Sequence, residues 1–347
     1  METLTVNATT GAAADAAGGT GISNGTTKSG ININKVIKVV KEYISYPVAI
    51  ALFIIIAVIN PMFASANNLS NILSDMSALL LLSIGVTFVL LIGSIDLSIG
   101  AMSSCACVIF AMTIPNMGWM GLILALLFGT AAGLVSGVIY VKTKIPSFIT
   151  TFGTMSVWQS LALIISKGAP QQISGHYREY VIWFRDKIGI IPVPFIIAAV
   201  VFIIFLVIEK KTKFGRTLYA IGGNESTART VGMNIDATKI AVFGLMGLLS
   251  ALAGIFFACN MRSGIPTVGE PFTLSAIAAV ALGGTSLSGG KGGLLRSFAG
   301  VLLVILIQNG MNVIGVGVFW QKITFGAIIL IAIFVTTDRK QRDLVVK

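Results

Sequence analysis

The stretch Leu79-Leu80-Leu81-Leu82-Ser83-Ile84-Gly85-Val86-Thr87-Phe88-Val89-Leu90-Leu91-Ile92 decides the fold. It fills most of an apolar run over 73–93, long enough to cross a hydrocarbon layer of ~30 Å as a helix. Inside lipid every backbone polar group needs a partner within the protein, which leaves only helices and closed barrels. The run is continuous and does not alternate, so it reads as a helix. Similar runs lie outward on both sides, at 45–64, 97–115, 118–141, 147–166, 192–209, 238–260, 273–289, 295–314 and 320–337. The chain is therefore expected to be all-α, a polytopic membrane protein with about ten transmembrane helices.

Composition agrees. Of 347 residues 55% are hydrophobic and 11% charged, against about 25% charged in soluble domains. The net charge of +11 does not point to nucleic acid, because the basic residues sit at the ends of apolar runs and form no stripe with interleaved aromatics. Placing the N-terminus inside puts 18 of the 24 Lys and Arg residues on the inner side, the bias that orients membrane proteins. Both termini are then cytoplasmic. Residues 1–44 read as a disordered tail leading to the first anchor, since Gly, Ala, Ser, Thr and Asn dominate the tail and cannot bury a core. Residues 45–337 form the membrane domain and 338–347 a cytoplasmic tail. A polar stretch at about 210–239 faces inside, and one at about 167–191 faces outside, where Trp183 and Phe184 suggest a short helix on the membrane surface.

Cys105, Cys107 and Cys259 lie in apolar stretches, and His176 is the only histidine. Neither a disulfide framework nor a metal site is expected, and no cofactor is implied. One outside histidine cannot build a catalytic triad, so no enzymatic activity is expected. Asp75 stands near a span end and Asp96 between two spans. An acid at that depth marks function by default, yet Asp96 equally reads as a cap on the helix that follows. The short join at Gly93-Ser94-Ile95-Asp96 could instead break one long helix. Glycines at 283, 284, 289 and 290 suggest that the 273–289 segment is broken or re-entrant.

Two motifs there mislead. Gly284 to Gly290 before Lys291 is one residue too wide for a phosphate-binding loop, and Gly292 stands where a Mg²⁺-binding hydroxyl belongs. Leu287-Ser288-Gly289-Gly290 mimics a transport-ATPase signature but follows an apolar helix. Tight helix packing, or a path lined by Thr285 and Ser286, are the readings kept. In the inner stretch, Asn224 is placed to cap a short helix that Gly232 ends. That helix is either a plain connector or a docking element whose Ala228, Val231 and Met233 give it an apolar side.

Five stretches carry a resemblance in order: Ile95-Asp96-Leu97-Ser98-Ile99-Gly100, Pro146 to Met155, Gly215 to Asn224, Ala276 to Leu287, and Gln308-Asn309-Gly310-Met311-Asn312. Together they resemble the membrane-spanning permease of bacterial ABC importers for monosaccharides, the ribose, xylose and galactoside group. The resemblance implies a second permease subunit (a copy of the same chain in preference to a different one), cytoplasmic ATPase subunits, an extracytoplasmic sugar-binding protein and a place in the inner membrane. Glu225, Ala228, Arg229 and Gly232 fall on the family's coupling helix. Asp96, Ser98, Thr151, Thr285 and Asn309 are the expected pathway residues. The chain departs from the family at Phe272-Thr273-Leu274-Ser275, where the family often carries two acids, so the identity of the sugar stays open. A branched-chain amino-acid permease and a passive channel are the alternatives.

Overall fold

A computed structural model describes residues 43–173, 179–317, 319–324, 326–327 and 330. The expected tails at 1–44 and 338–347 therefore lie almost wholly outside the described residues, as do His176 and much of the expected span 320–337.

Seven helices are long and apolar enough to cross a membrane. After a shorter apolar helix, α1 (Ser45–Ile59), they are α2 (Ala66–Leu91), α3 (Ile99–Met117), α4 (Met120–Thr143), α5 (Ser147–Ser166), α7 (Val193–Lys211), α10 (Ile235–Met261) and α12 (Leu294–Ile314). A second short apolar helix, α11 (Glu270–Leu282), lies between the last two. The remaining helices are α6 (Glu179–Ile182), α8 (Lys213–Gly223) and α9 (Glu225–Thr230). Nine apolar helices among the described residues thus match nine of the ten expected spans.

Three boundaries differ from the expected ones: α1 ends at Ile59, not near 64, because the chain turns at Asn60 into a 3₁₀ turn over Pro61–Ala64. α2 begins at Ala66, not near 73, because Ser65 accepts a hydrogen bond from the Asn68 amide at 3.3 Å and starts the helix. Hydropathy alone overlooked its polar first turns. At 1.5 Å per residue α2 is ~39 Å long, more than the hydrocarbon needs. α11 stops at Leu282, so the 273–289 segment is a half-length helix followed by a half-buried return loop. A helix of that length reaches only ~20 Å.

α2, α3 and α10 are largely covered by other helices, whereas α4, α5 and α7 expose most of their surface. α4 and α10 cross with their backbones in close contact. A Cβ on Gly133 would strike the Phe243 carbonyl, and one on Gly247 would strike the Gly129 carbonyl. Gly129 and Gly133 are one helical turn apart, so together they let the two backbones close.

The chain is non-helical from Ile92 to Ser98, yet largely buried. Such backbone is tolerated at membrane depth only when protein satisfies it. Ser147 of α5 accepts from the Ile95 amide at 3.0 Å, Thr151 from the Leu97 amide at 3.1 Å, and Asp96 from the Ser98 amide at 2.8 Å. The join is therefore a stitched break between two separate helices.

In the 167–191 stretch, β1 (Gln171–Gln172) pairs antiparallel with β4 (Ser263–Gly264), and β2 (Lys187–Ile188) with β3 (Ile191–Pro192). A 3₁₀ turn at Trp183–Arg185 extends α6. It is not a surface helix in full, because Phe184 is buried against Phe256 with ring centroids 4.8 Å apart.

Gly133→Leu should overpack the α4–α10 crossing and cost about 1–3 kcal/mol or more. Gly153→Leu, at a position with open space around it, should be neutral or slightly stabilising. Thermal unfolding in detergent distinguishes the two, and equal melting temperatures would refute the packing account.

Candidate functional site

A cavity of about 520 Å³ opens where α2, α10 and α12 meet the 184–194 stretch. That volume lies within the range of small-molecule sites. Asn68, Asn71 and Asp75 reach it from α2, Asn260 from α10, and Asn309 and Asn312 from α12, with Arg185 and Lys187 at the rim. Spacings of three and four residues put the α2 trio on one helical face. The cavity runs into a second space of about 210 Å³ that adds Phe256, Phe257, Phe272 and Gln308. Its aromatic floor is closely packed, with the Phe257 and Phe272 rings 4.6 Å apart. Each carboxamide offers both donors and acceptors, so the site can bind a neutral, polyhydroxylated molecule over an apolar base. Asn68 donates to Asn309 Oδ1 at 2.8 Å and to the Phe63 carbonyl at 2.9 Å, which fixes the α2–α12 seam at the cavity wall.

Of the five expected pathway residues, Asn309 lines this cavity. Asp96, Ser98 and Thr151 come together elsewhere, in the stitched break: Asp96 Oδ1 accepts from the Ser98 hydroxyl at 2.6 Å, while Oδ2 is buried without a partner. Thr285 is buried near the start of α12, 3.3 Å from the Ser297 hydroxyl and accepting from the Gly293 amide. Sequence reasoning overlooked Asn68, Asn71, Asn260 and Asn312, and set Asp75 aside. Helical spacing of polar residues in the first turns of an apolar helix was the signal that could have found the α2 group.

At the other end of α7 and α2 the chain forms a second polar cluster. Thr212 caps α8 through the Gly215 amide at 3.2 Å, and Asn224 caps α9 through the Thr227 amide at 3.0 Å. Gly232 ends α9 in the left-handed region, at φ +80°, as the Met233 amide returns to the Ala228 carbonyl at 3.2 Å; such a closure favours glycine. Glu225 pairs with Lys239 at 2.8 Å, and Arg229 with Asp236 at 3.0 Å, so α9 is clipped to the first turns of α10. Ala228 is buried, while Val231 is 66% exposed.

Glu209, at the end of α7, is 2% exposed. Its carboxylate accepts from the Tyr219 hydroxyl at 2.6 Å and from the Leu294 amide at 2.9 Å, with the Lys210 ammonium at 2.8 Å. The Leu294 amide is one of the free donors at the start of α12, where a carboxylate is favoured. Burial raises the Tyr219 pKa above that of a free phenol, and the Glu209 hydrogen bond adds to the shift, so Tyr219 remains a proton donor.

The family described as "Branched-chain amino acid transport system / permease component" matches residues 68–333. The chain belongs to this permease family. The ribose import permease protein of Bacillus subtilis is 39% identical to it over 294 residues, 84% of this chain and 90% of that protein. The Escherichia coli ribose import permease protein is 35% identical over 84% of this chain and 93% of its own length. The E. coli L-arabinose transport system permease protein is 36% identical over 81% and 86%. No solved structure matches. The permease is a multi-pass membrane protein, and the matched region contains both polar clusters.

Removing the Glu209 carboxylate strands the Leu294 amide and leaves the Tyr219 hydroxyl only the Gly292 carbonyl, at 3.1 Å. Glu209→Ala should destabilise the permease by on the order of 2 kcal/mol. Glu209→Gln keeps an acceptor and should lose roughly half as much. Equal denaturation midpoints for the two variants would contradict this account.

Proposed function

We propose that this permease is the membrane-spanning subunit of an ATP-driven importer that moves a monosaccharide into the cytoplasm by alternating access. The cavity faces outward and receives the sugar from an extracytoplasmic binding protein. α8 and α9 face the cytoplasm, where a separate ATPase subunit grips them, and a second copy of the chain completes the pathway. The observation that carries this reading is the ring of carboxamides from α2, α10 and α12 over a phenylalanine floor. Amides suit hydroxyl groups, whose donors and acceptors they match without a net charge, and aromatic rings supply the apolar surface that a sugar ring covers. The relatives named for ribose and L-arabinose support the same substrate class.

Transport requires a grip that is easily released, since tight binding slows exit. Neutral hydrogen bonds of ~0.5–1.5 kcal/mol each meet that need better than buried ion pairs. Asp75 is the one acid among the lining residues, and it is placed to accept from sugar hydroxyls. On the cytoplasmic side the exposed Val231 and the short, capped α9 form a knob for the ATPase. Asp96, Ser98 and Thr151 contribute by holding the break between α2 and α3, and Thr285 by holding the return loop before α12.

Reconstitution with the ATPase and the binding protein in liposomes tests the proposal. ATP-dependent uptake of labelled ribose or arabinose, and none of leucine, is the expected result. Leucine uptake would overturn the substrate assignment, and sugar flux without ATP would reveal a facilitator. Asn309→Ala and Asp75→Asn should each raise the KM for uptake about 2–10-fold, the weight of one hydrogen bond, with ATPase association intact. Val231→Glu, and Arg229→Glu at its ion pair with Asp236, should do the reverse: ATPase co-purification falls while membrane insertion is normal. Undiminished coupled uptake by both α9 variants would remove that knob from the mechanism.

A further inference from the structure

α11 is too short to cross the membrane, and its first turn begins deep within it. The Leu282 carbonyl accepts from Ser45, at the start of α1, at 2.7 Å, and from there back to Glu270 the helix climbs only ~18 Å. The chain comes down to Glu270 from the end of α10 as non-helical backbone over 262–269. Two bonds fix how deep it runs. The Pro266 carbonyl accepts from Gln159 at 2.8 Å, and the Gly269 amide donates to Ser104 at 2.8 Å. Gln159 stands ~18 Å from the start of α5 and ~10 Å from its end, and Lys144 and Lys167 flank that helix on either side. Glu270 therefore lies near the middle of the membrane.

At that depth Glu270 is exposed, and among the described residues no cation pairs with its carboxylate. Thr267, next to the Pro266 contact, is exposed as well, and so are Ser156 and Ser160, which flank Gln159 on α5. The other outward faces differ. From Ile123 to Ile139 every exposed residue of α4 is apolar, and so is every one of α7 from Val200 to Val207. Those faces suit hydrocarbon. An ionisable group at mid-depth instead faces water or a partner. Non-helical backbone at such a depth is likewise confined to places buried in protein or lining a water-filled space. The carboxylate and the backbone thus independently put water, not lipid, on the α5–α11 side.

We propose that the face formed by Ser156, Ser160, Thr267 and Glu270 lines the water-filled path through the membrane, with Glu270 as a mid-membrane contact for the solute in transit. A carboxylate accepts hydrogen bonds through two oxygens, so Glu270 suits paired hydroxyls on a neutral, polyhydroxylated molecule. Leu274, one turn on from Glu270, is 65% exposed and offers apolar surface to the ring carbons. The second copy of the chain, related by a twofold axis, supplies the facing wall. This proposal rests on the transport reading above and carries it from the outer cavity into the membrane. Phe272, in the first turns of α11, belongs to the cavity floor, so cavity and path adjoin at the start of this half-length helix.

Thiol labelling in the reconstituted importer tests for the water. The native cysteines are buried, and a charged methanethiosulfonate, present on both sides of the membrane, reacts with a thiolate, which forms in water and not in hydrocarbon. Ser156→Cys and Glu270→Cys should react at least about tenfold faster than Leu127→Cys and Ile204→Cys, which sit within the apolar faces of α4 and α7. Equal rates at the two pairs would overturn the proposal. Uptake is the second readout. Glu270→Gln keeps an acceptor and should raise the KM for ribose about 2–10-fold. Glu270→Leu should cut uptake at least about tenfold, with ATPase association intact in both variants. Unchanged uptake by Glu270→Leu is the behaviour of a carboxylate outside the path and would overturn the role of Glu270. Should Glu270→Leu fail to assemble, Glu270→Gln decides, and an unchanged KM would overturn it. Labelling needs no sugar, so a tenfold contrast in an unsubstituted importer that takes up none would defeat the transport reading and leave the water-filled face standing.

Discussion

Backbone without water must be satisfied by protein, and that constraint organises this molecule. The chain breaks its helices at two places, the largely buried 92–98 and the half-buried 283–293, and each break is closed by a few side chains. Ser147, Thr151 and Asp96 accept the loose amides of the first. Thr285 and Glu209 accept those of the second, while Gly290 bonds across to the first at Leu91. An unsatisfied amide there would cost several kcal/mol, so the polar residues in these breaks are as structural as any leucine. Both breaks let backbone approach backbone at the end of the bundle where α2 meets α8.

The same constraint separates the two polar clusters. A cavity rich in amides needs water or a solute and so belongs at the membrane surface; a gripping surface for an ATPase belongs at the opposite one. α2 connects them. Its first turns carry Asn68, Asn71 and Asp75, its middle is entirely apolar or hydroxyl-bearing, and its last residue meets Gly222. One long helix therefore joins the proposed substrate site to the proposed coupling site, and α12 runs beside it with Asn309 at the same end.

Much of this was legible from the residues. Hydropathy located the spans closely, as at 147–166, where α5 has the same limits. The Asn224 cap and the Gly232 stop of α9 follow from local chemistry that needs no tertiary partner. The cavity did not follow, because it is built from three helices far apart in the chain, and asparagines at a helix end look like ordinary surface. Asp96 reads from the sequence as a buried acid or a helix cap; its Oδ1 bonds to Ser98 across the helix break, a contact that depth alone does not specify. Glu209 passed unnoticed at the end of an apolar run beside Lys210 and Lys211, where a surface charge is the ordinary expectation. Its partner amide, Leu294, comes from 85 residues along the chain.

The account depends most on the cavity and the α9 knob lying on opposite sides of the membrane, with the cavity outside. The three cysteines are buried, so single cysteines can be introduced at two exposed positions, Ile188→Cys beside the cavity and Thr227→Cys on α9, and probed in intact spheroplasts with a membrane-impermeant maleimide. Labelling of Ile188→Cys without permeabilisation, and of Thr227→Cys only after it, is the predicted result. Labelling of Thr227→Cys from outside would contradict the account at its root.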